Sequence, residues 1–338
     1  MGRAKRIPYG VSDFIDIIER NQYYVDKTMY IPKLEDEPDA LFFIRPRRFG
    51  KSLFISMLRA YYDIKRKDKF DKLFGNLWIG SHPTENQGKY QVLFLDFSKI
   101  GGSIDQLEEN FNAYCNECID SFIETYQEYY PERVVESVLN AKTAARKLNA
   151  IGIAAEKKNL PLYLIVDEYD NFTNVVLNEQ GEEVYTALTH ASGFYREIFK
   201  VFKGMFSKIF MTGVSPVTLD DLTSGFNIGW HISTKPAFNQ MLGFSTEDVR
   251  DLFTYYKENG EIRPDSDVEA IIEEMKPWYD NYCFSESALK TQSKVFNSDM
   301  VFYYLRNYRE TGESPKLMVD PNTKTDYGKM KKLLQLDK

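Results

Sequence analysis

Short apolar runs alternate along the chain with stretches whose apolar residues have helical spacing. Four runs end in polar or charged residues and predict strands at 41–44, 90–97, 162–166 and 206–212. The run LYLIV at 162–166 is continuous, which is typical of a strand buried on both faces of a parallel sheet. A weaker run at 227–233 predicts a short fifth strand. Strands that alternate with helices predict an α/β sandwich built on a parallel sheet.

Helical spacing fills most of the chain between and after these runs. The helices that it predicts are 53–62, 104–130, 131–158, 182–203, 246–259, 266–279 and 298–311. From residue 236 onward the strand signals are weak, and the remaining stretch of about 100 residues has a size plausible for a small domain. We therefore expect a separate helical appendage after residue 235.

The composition is that of an ordinary globular protein, with 338 residues, 43% of them hydrophobic and 28% charged. The net charge of -7 argues against a protein that coats nucleic acid, because such proteins are usually basic. No run of about 18 apolar residues could span a membrane, no signal peptide is visible, and three cysteines cannot form a disulfide framework. We therefore expect a cytoplasmic protein with no membrane partner.

The stretch LFFIRPRRFGKSL joins the first strand to a helical pattern and predicts a phosphate-binding loop. In such a loop, backbone N–H groups and the helix N-terminus hold the phosphates, a lysine reaches the outer phosphate oxygens and a hydroxyl holds Mg²⁺. Lys51 and Ser52 follow Gly50 and fill these two positions, but Arg45 stands where the first glycine of the usual motif would be. A G-K-S triplet alone is common, so a plain helix cap explains it about equally well.

Polar residues also follow the third and fourth strands. Asp167 and Glu168 come directly after the third strand, where an aspartate can hold a Mg²⁺ shell and a glutamate can polarise an attacking water. Thr212 ends the fourth strand and would lie between the two motifs, although its preference for strands explains it equally well. The two motifs in this order, each after a strand, favour a nucleotide site over a solvated strand end.

Motifs along nearly the whole chain resemble those of the AAA-ATPase-like domain proteins, which are widespread in bacteria and in many members precede a PD-(D/E)xK nuclease-type domain. The resembling segments, in order, are PYGVSDF, YYVDKT, FFIRPRRFGKSLFISML, LFLDFS, LIVDEYDN, MTGVSPV, LTSGFNI, MLGFSTEDV, WYDNYCF and VFNSDMVFYYL. The family loop is typically R-P-R-R-F-G-K-S, so Arg45 is the normal residue there. Because the sequence stops near Lys338, before any nuclease-type domain, we expect a truncated form or a short member.

The resemblance implies a P-loop NTPase fold of AAA type, a three-layer α/β structure of the additional-strand, catalytic-glutamate class with a C-terminal helical lid. We therefore predict an N-terminal helical segment at 1–36 that packs on the core, an ATPase core at 37–235, and the lid and tail at 236–338. The family also implies ATP or ADP and Mg²⁺ as cofactors.

The resemblance further implies roles for individual residues. Lys51, Glu168 and Thr212 are expected to act in catalysis, and Ser52 with Asp167 to hold the metal. Arg47 and Arg48 add charge close to the phosphates in one interpretation, and face solvent or a partner's nucleotide in an equally good one. The expected nucleotide-binding residues are Arg47, Arg48, Phe49, Gly50, Lys51, Ser52, Leu53, Tyr24 and Asp26. The last two lie in the YYVDKT segment, a candidate cover for adenine, although plain aromatic packing explains that segment equally well.

Three functions stay open from the sequence. The first is Mg²⁺-dependent ATP hydrolysis coupled to a movement between core and lid. The second is a nucleotide-gated switch or scaffold with little turnover, acting through a homo-oligomer or a downstream nuclease-type domain. The third is a nucleic-acid-associated module of a mobile-element or defence system that uses the basic stretches 45–48 and 65–69, although the net charge does not support it. If the loop binds nucleotide, its arginines predict strong retention and slow release.

Overall fold

The computed structural model describes residues 4–101, 106–171, 194–215, 229–280, 282–291 and 293–321. Contacts within the chain divide it into two compact units. We call Thr28–Arg47 with Lys51–Ser233 the sheet unit, and Met1–Lys27 with Arg48–Gly50 and Thr234–Lys338 the helical unit. The stretch predicted to bind phosphate is thus divided, since its three central residues group with the helical unit. The predicted segment borders after residues 36 and 235 stay predictions.

A five-stranded parallel sheet forms the centre of the sheet unit. Its strands are β1 (Ala40–Ile44), β2 (Gln91–Asp96), β3 (Leu162–Asp167), β4 (Lys208–Gly213) and β5 (Trp230–His231). They lie in the order β2-β3-β4-β1-β5. Every residue of β3 is buried, which confirms the prediction of a strand covered on both faces. The fifth strand is shorter than predicted, and residues 227 and 228 of that prediction lie outside the described part.

The register brings the carboxyl ends of the strands to one edge of the sheet. Asp96 of β2 pairs with Asp167 of β3. Phe43 of β1 pairs with Thr212 of β4, and β4 lies between β1 and β3. The residues that follow β1 and β3 therefore flank the end of β4, which is the position expected for Thr212.

Helices cover both faces of this sheet. The described α-helices, in chain order, are α1 (Phe14–Glu19), α2 (Tyr30–Glu35), α3 (Lys51–Tyr62), α4 (Phe70–Phe74), α5 (Leu107–Thr125), α6 (Glu132–Asn140), α7 (Ala144–Lys157), α8 (Phe194–Met205), α9 (Thr246–Glu258), α10 (Val268–Tyr279), α11 (Glu286–Lys290) and α12 (Ser298–Thr311).

Apolar residues of α5, α7 and α8 share one core with Ile209 and Met211 of β4. Phe54 of α3 instead contacts the ring of Phe210, and neighbouring residues of a strand point to opposite faces. The sheet unit is therefore a three-layer α/β structure.

The helix predicted over 131–158 is wrong as one element, because α6 and α7 divide it. The chain turns extended at Ala141, and Thr143 caps α7 by accepting a hydrogen bond from the N–H of Arg146. The buried Lys147 donates to the carbonyl of Val138 at 3.0 Å and so binds the end of α6. The predicted helix over 182–203 is described only from residue 194 onward, within α8.

Two tyrosines cover the outer side of β2, which is an edge strand of the sheet. The hydroxyl oxygen of Tyr126, directly after α5, accepts a hydrogen bond from the backbone N–H of Val92 at 3.0 Å. Tyr114 of α5 receives the backbone N–H of Asp96 at 2.8 Å. These hydroxyls satisfy backbone donors that have no neighbouring strand on that side among the described residues.

The helical unit has its own apolar core, formed mainly by α9, α10 and α12. Each of these helices starts at a side-chain cap, and Ser245 with Asp248 forms a complete capping box at α9. The predictions at 246–259, 266–279 and 298–311 are confirmed to within two residues, whereas the short α11 was not predicted. Tyr23 of the N-terminal segment contacts the rings of Tyr255 and Tyr256 in this unit. No helix in the described ranges combines the length and the apolar character needed to cross a bilayer.

Candidate functional site

Arg45 anchors the chain where it leaves β1. Its backbone N–H donates to the carbonyl of Gly213 at 3.2 Å. Its guanidinium donates to the carbonyls of Ile44 at 2.8 Å and Ser233 at 2.9 Å, and lies 4.2 Å from the ring centre of Phe43. The side chain is buried, and this burial lowers the pKa of Arg45 to about 9. The residue that replaces the first glycine of the usual motif therefore restrains the start of the loop through side-chain contacts.

Lys51 opens α3 at the other end of the loop. Its ammonium donates to the backbone carbonyls of Arg45 and Pro46, each at 3.0 Å. Burial lowers the pKa of Lys51, whereas the charges of Asp167 and Glu168 act in the opposite direction. The lysine is thus held on neutral acceptors of the loop, close to the acidic residues that follow β3.

Asp167 joins the loop to the end of β4. The hydroxyl of Ser52, the second residue of α3, donates to Asp167 Oδ2 at 2.6 Å. The hydroxyl of Thr212 donates to Asp167 Oδ1 at 2.6 Å. Asp167 and Thr212 are buried, while Ser52 is exposed. Three residues singled out in the sequence are therefore brought together by a single carboxylate.

Glu168 takes a strained backbone conformation beside this carboxylate. Its φ is 50°, in the left-handed region that residues with a Cβ rarely adopt, and its N–H donates to Asp167 Oδ1 at 3.0 Å. Burial, followed by the charge of Asp167, raises the pKa of Glu168, while Lys51 and Arg47 lower it. A strained, partly buried carboxyl with a raised pKa is a candidate general base.

Asp170 contributes bonds to the same edge that the sequence did not predict. Its buried carboxylate accepts the backbone N–H of Val214 and, at 2.5 Å, the N–H of Ser215. Tyr169, also buried, donates its hydroxyl to the carbonyl of Ser215 at 2.9 Å. The DEYD motif pointed to this region, but only its first two residues suggested chemistry.

The central loop residues Arg48–Gly50 make their described contacts in the helical unit. Arg48 donates to Asp299 Oδ2 at 2.8 Å and lies 3.7 Å from Asp320 Oδ2. The buried ring of Phe49 meets Tyr282 and Phe284 edge to face, with centroids 4.7 and 5.6 Å away. Sequence reasoning missed these partners, which lie more than 230 residues away along the chain.

Backbone geometry gives this part of the loop a second set of restraints. Arg48 and Gly50 have φ values of 66° and 86°, so the chain turns through left-handed conformations on both sides of Phe49. The hydroxyl of Ser298 donates to the carbonyl of Arg48, and the N–H of Gly243 donates to the carbonyl of Phe49. The loop centre is therefore held by backbone as well as side-chain contacts.

Tyr24 and Asp26 belong to the helical unit as well. The ring of Tyr24 meets Phe14 edge to face at 5.2 Å, and burial together with the charge of Asp26 raises the pKa of its hydroxyl. These contacts are those of packed aromatic residues. Leu53 is half-buried in α3. Nucleotide contacts of Tyr24, Asp26 and Leu53 stay predictions.

Comparison with protein families decides the classification. The model of the family described as "Predicted AAA-ATPase" matches residues 8–223, which is more than half of the chain. The chain belongs to this family of predicted AAA-ATPases. Membership suggests nucleotide binding, and the match includes both the loop and the edge of the sheet described above.

A curated relative of this predicted AAA-ATPase extends the comparison beyond the matched region. The protein named "Uncharacterized protein in vnfD 5'region" from Azotobacter chroococcum mcd 1 is 25% identical over 338 residues. The match covers 94% of this chain and 56% of the relative. The chain thus spans little more than half the length of that relative.

The oxygen atoms of Ser52 and Asp167 suit the metal that the AAA-ATPase family implies. No group of three or more His, Cys, Asp or Glu side chains is arranged for a metal ion in the described ranges. Mg²⁺ needs no such cage, because it prefers hard oxygen ligands and keeps several waters and substrate phosphates. A hydroxyl and a carboxylate joined at 2.6 Å therefore fit Mg²⁺ better than a metal that requires a full protein shell.

Two other sequence features do not extend the site. The basic run lies on a 3₁₀ helix, Ile64–Lys69, in which no residue is buried. Lys65 pairs with Glu128 and Arg66 with Asp63, so these charges have acidic neighbours. Cys115 is buried in the core, where burial raises the pKa of its thiol, as expected of a structural cysteine.

Proposed function

We propose that this predicted AAA-ATPase binds ATP and hydrolyses it with the help of Mg²⁺. The observation that carries the proposal is the meeting of Ser52, Asp167 and Thr212 at the carboxyl edge of the sheet, through two hydrogen bonds of 2.6 Å. Such edges are where open α/β sheets bind their ligands. The membership in the family supports the choice of nucleotide.

Lys51 and the first turn of α3 would bind the phosphates. A helix that starts at Lys51 presents unpaired N–H groups and a partial positive charge at this point. When an anionic phosphate is available, the ammonium of Lys51 exchanges the two neutral carbonyls of Arg45 and Pro46 for charged oxygens, which form stronger hydrogen bonds.

Ser52 and Asp167 would hold Mg²⁺, which neutralises charge on the transferred phosphate when it is bound. Asp167 keeps its carboxylate oriented through Thr212 on one oxygen. Its other oxygen receives the exposed hydroxyl of Ser52. Both side chains are therefore positioned before any ligand arrives, which reduces the cost of ordering them.

Glu168 would act as the general base. Its carboxylate accepts a proton from the attacking water, and a raised pKa makes it a better proton acceptor at neutral pH than an ordinary glutamate. Thr212 serves the same step by fixing the neighbouring Asp167.

Hydrolysis would be coupled to a change between the sheet unit and the helical unit, for which the latter acts as a lid. The loop that binds phosphate runs from Arg47 of the sheet unit through Arg48–Gly50 of the helical unit and back to Lys51. A ligand that alters this loop acts on both units through the chain itself. A further copy of the chain or a downstream nuclease-type domain would receive this change.

The test is nucleotide binding and phosphate release by the purified protein with Mg²⁺ and ATP. We expect the unsubstituted protein to release phosphate. Glu168→Gln should bind ATP but release no phosphate, because the substitution removes the base and leaves the phosphate loop intact. We expect Lys51→Ala to lower nucleotide affinity about 100-fold, since about 3 kcal/mol is reasonable for a buried charged contact with phosphate.

Lys65→Ala is the matched control, because Lys65 lies on the exposed 3₁₀ helix and pairs with Glu128. Its nucleotide affinity should equal that of the unchanged protein. Tight binding without release would support the switch with little turnover instead. Unchanged affinity in Lys51→Ala would show that the site is assigned to the wrong residues.

A further inference from the structure

Two chain segments leave the carboxyl edge of the sheet side by side and stay bonded beyond the last strand residues. One is 167–170 after β3, and the other is 212–215 at the end of β4. The backbone N–H of Tyr169 donates to the carbonyl of Thr212 at 3.0 Å. Asp170 then binds the N–H groups of Val214 and Ser215. Beyond the ends of β3 and β4, hydrogen bonds from side chains and backbone thus take the place of the regular hydrogen bonds between the strands.

Asp170 supplies the side-chain part of this connection, because its carboxylate accepts the N–H groups of Val214 and Ser215. It lies three residues after Asp167, its carboxylate is buried, and both of its oxygens accept from Val214 at 3.0 and 3.1 Å. A carboxylate can accept at several positions, whereas an amide of the same shape has only one acceptor atom and would direct its NH₂ group at another N–H. Charged acceptors also form the stronger bonds.

The approach of the two segments depends on Gly213. A Cβ at this position would lie 2.5 Å from Asp170 Oδ1 and 2.5 Å from Tyr169 Cε1. The glycine therefore permits the contact between the segments, and an alanine would force them apart. This requirement is independent of the hydrogen bonds and gives a second way to disturb the same connection.

We propose that Asp170 is a positioning residue that holds Glu168 and Thr212 in one rigid arrangement for ATP hydrolysis. The proposal rests on the proposed function, because it assigns the support of the same site. Glu168 lies between Asp167, which Thr212 binds, and Tyr169, whose N–H and hydroxyl bind Thr212 and Ser215. Its left-handed backbone persists only while these neighbours fix it. Asp170 itself touches neither nucleotide nor water in this assignment.

The expected signature is a loss of rate without a loss of binding. The ammonium of Lys51 donates to the carbonyls of Arg45 and Pro46, and the charge of Asp170 acts on it less than the charges of Asp167 and Glu168, so phosphate binding should survive the replacement of Asp170. Glu168 would lose its orientation, and supporting residues that orient a catalytic group commonly change rates by 10- to 100-fold.

The experiment measures Asp170→Asn by single-turnover ATP hydrolysis and by equilibrium binding of a fluorescent ATP analogue with Mg²⁺. We expect about a 100-fold slower turnover and an affinity within about 3-fold of the unchanged protein. Asp96→Asn is the matched control, since Asp96 ends β2 at the same edge but accepts hydrogen bonds from Ser98 on its own segment, and its charge acts on Glu168 less than those of Asp167, Lys51 and Arg47. Its rate should change less than about 3-fold.

Tyr169→Phe covers the case in which Asp170→Asn does not fold, because it removes only the hydroxyl bond to Ser215. It should slow turnover about 3- to 10-fold. Gly213→Ala should slow it as well, and its effect should not add to that of Asp170→Asn, since both disturb one contact.

If Asp170→Asn lowered the nucleotide affinity and the thermal midpoint together with the rate, the loss would be a general loss of structure and the proposal would be overturned. An unchanged rate would overturn it as well. Hydrogen exchange of the Val214 and Ser215 amides separates this inference from the proposed function. If the unchanged protein binds ATP but releases no phosphate, the ATPase proposal fails. In that case, faster exchange of these amides in Asp170→Asn, with slow exchange in Asp96→Asn, still supports the role of Asp170 in holding the two segments together, and equal exchange in both variants rejects it.

Discussion

The two ends of the loop at 45–51 and its centre are held by different chemistry. At the ends, Arg45 and Lys51 bind backbone carbonyls of the sheet unit. At the centre, Arg48 binds the carboxylate of Asp299, and Phe49 packs against aromatic rings of the helical unit. Backbone acceptors are present whatever the residue type, whereas a carboxylate and an aromatic pocket are encoded by particular residues far along the chain. The loop ends therefore depend on one motif, and the loop centre depends on two distant parts of the sequence.

The largest expected effect tests the packing of the loop centre. Phe49→Ala should lower the free energy of unfolding by about 4 kcal/mol, because it removes a buried ring and leaves a cavity. The midpoint and slope of urea-induced unfolding measure this change. Leu289→Ala, also in the helical unit but largely exposed, should cost less than about 0.5 kcal/mol. Similar losses in both variants would show that Phe49 does not anchor the loop.

The next effect concerns the start of the loop. Arg45→Ala should lower the free energy of unfolding by about 3 kcal/mol, because the partly buried carbonyls of Ile44 and Ser233 lose their charged donor. Arg20→Ala is the control, since Arg20 is exposed and its pair with Asp16 lies at the surface. If both arginines could be removed at the same small cost, side-chain anchoring of the strand end would have to be abandoned.

The pH dependence of turnover tests the acidic edge. In the proposed mechanism Glu168 is the base, and because its pKa is raised above the ordinary glutamate pKa of 4.5, its carboxylate becomes protonated at a higher pH than usual. Turnover should therefore fall about tenfold per pH unit as pH decreases below this raised pKa, and level off above it until Lys51, whose pKa burial lowers, begins to lose its proton. Single-turnover rates measured in parallel with nucleotide affinity separate this limb from weaker binding. An acid limb at or below pH 4.5 would contradict the assignment.

The smallest expected effect is on the rate of ADP release, which we compare between variants of the neighbouring residues Arg47 and Arg48. The charge of Arg47 acts on both Lys51 and Glu168, whereas Arg48 is engaged by Asp299. Arg47→Gln should speed ADP release about tenfold, and Arg48→Gln less than about 3-fold. Stopped-flow displacement of a fluorescent ADP measures both rates. A larger effect at Arg48 would mean that nucleotide draws it away from Asp299, and would reverse the comparison.

The residues at the carboxyl edge of the sheet could be predicted from the sequence, because short patterns along the chain locate each strand and its end. Polar residues stand at or shortly after the end of β1, β3 and β4, and parallel strands place those ends along one edge, so Ser52, Asp167 and Thr212 could be brought to one place from the sequence. The pairing of Arg48 with Asp299 joins residues 251 positions apart, and no periodicity reports such a contact. The break between α6 and α7 rests on a single cap at Thr143, and the binding role of Asp170 rests on the close approach at Gly213.

The tyrosine hydroxyls beside β2 have a consequence for how copies of this protein can meet. An uncovered edge strand is a template on which a second chain can add its own strand, and this is a common route to aggregation. Here Tyr126 and Tyr114 already use the N–H groups of Val92 and Asp96. Extension of the sheet at β2 would first have to break both bonds and move α5 aside. Self-association through a strand added at β2 should therefore be disfavoured even at high protein concentration.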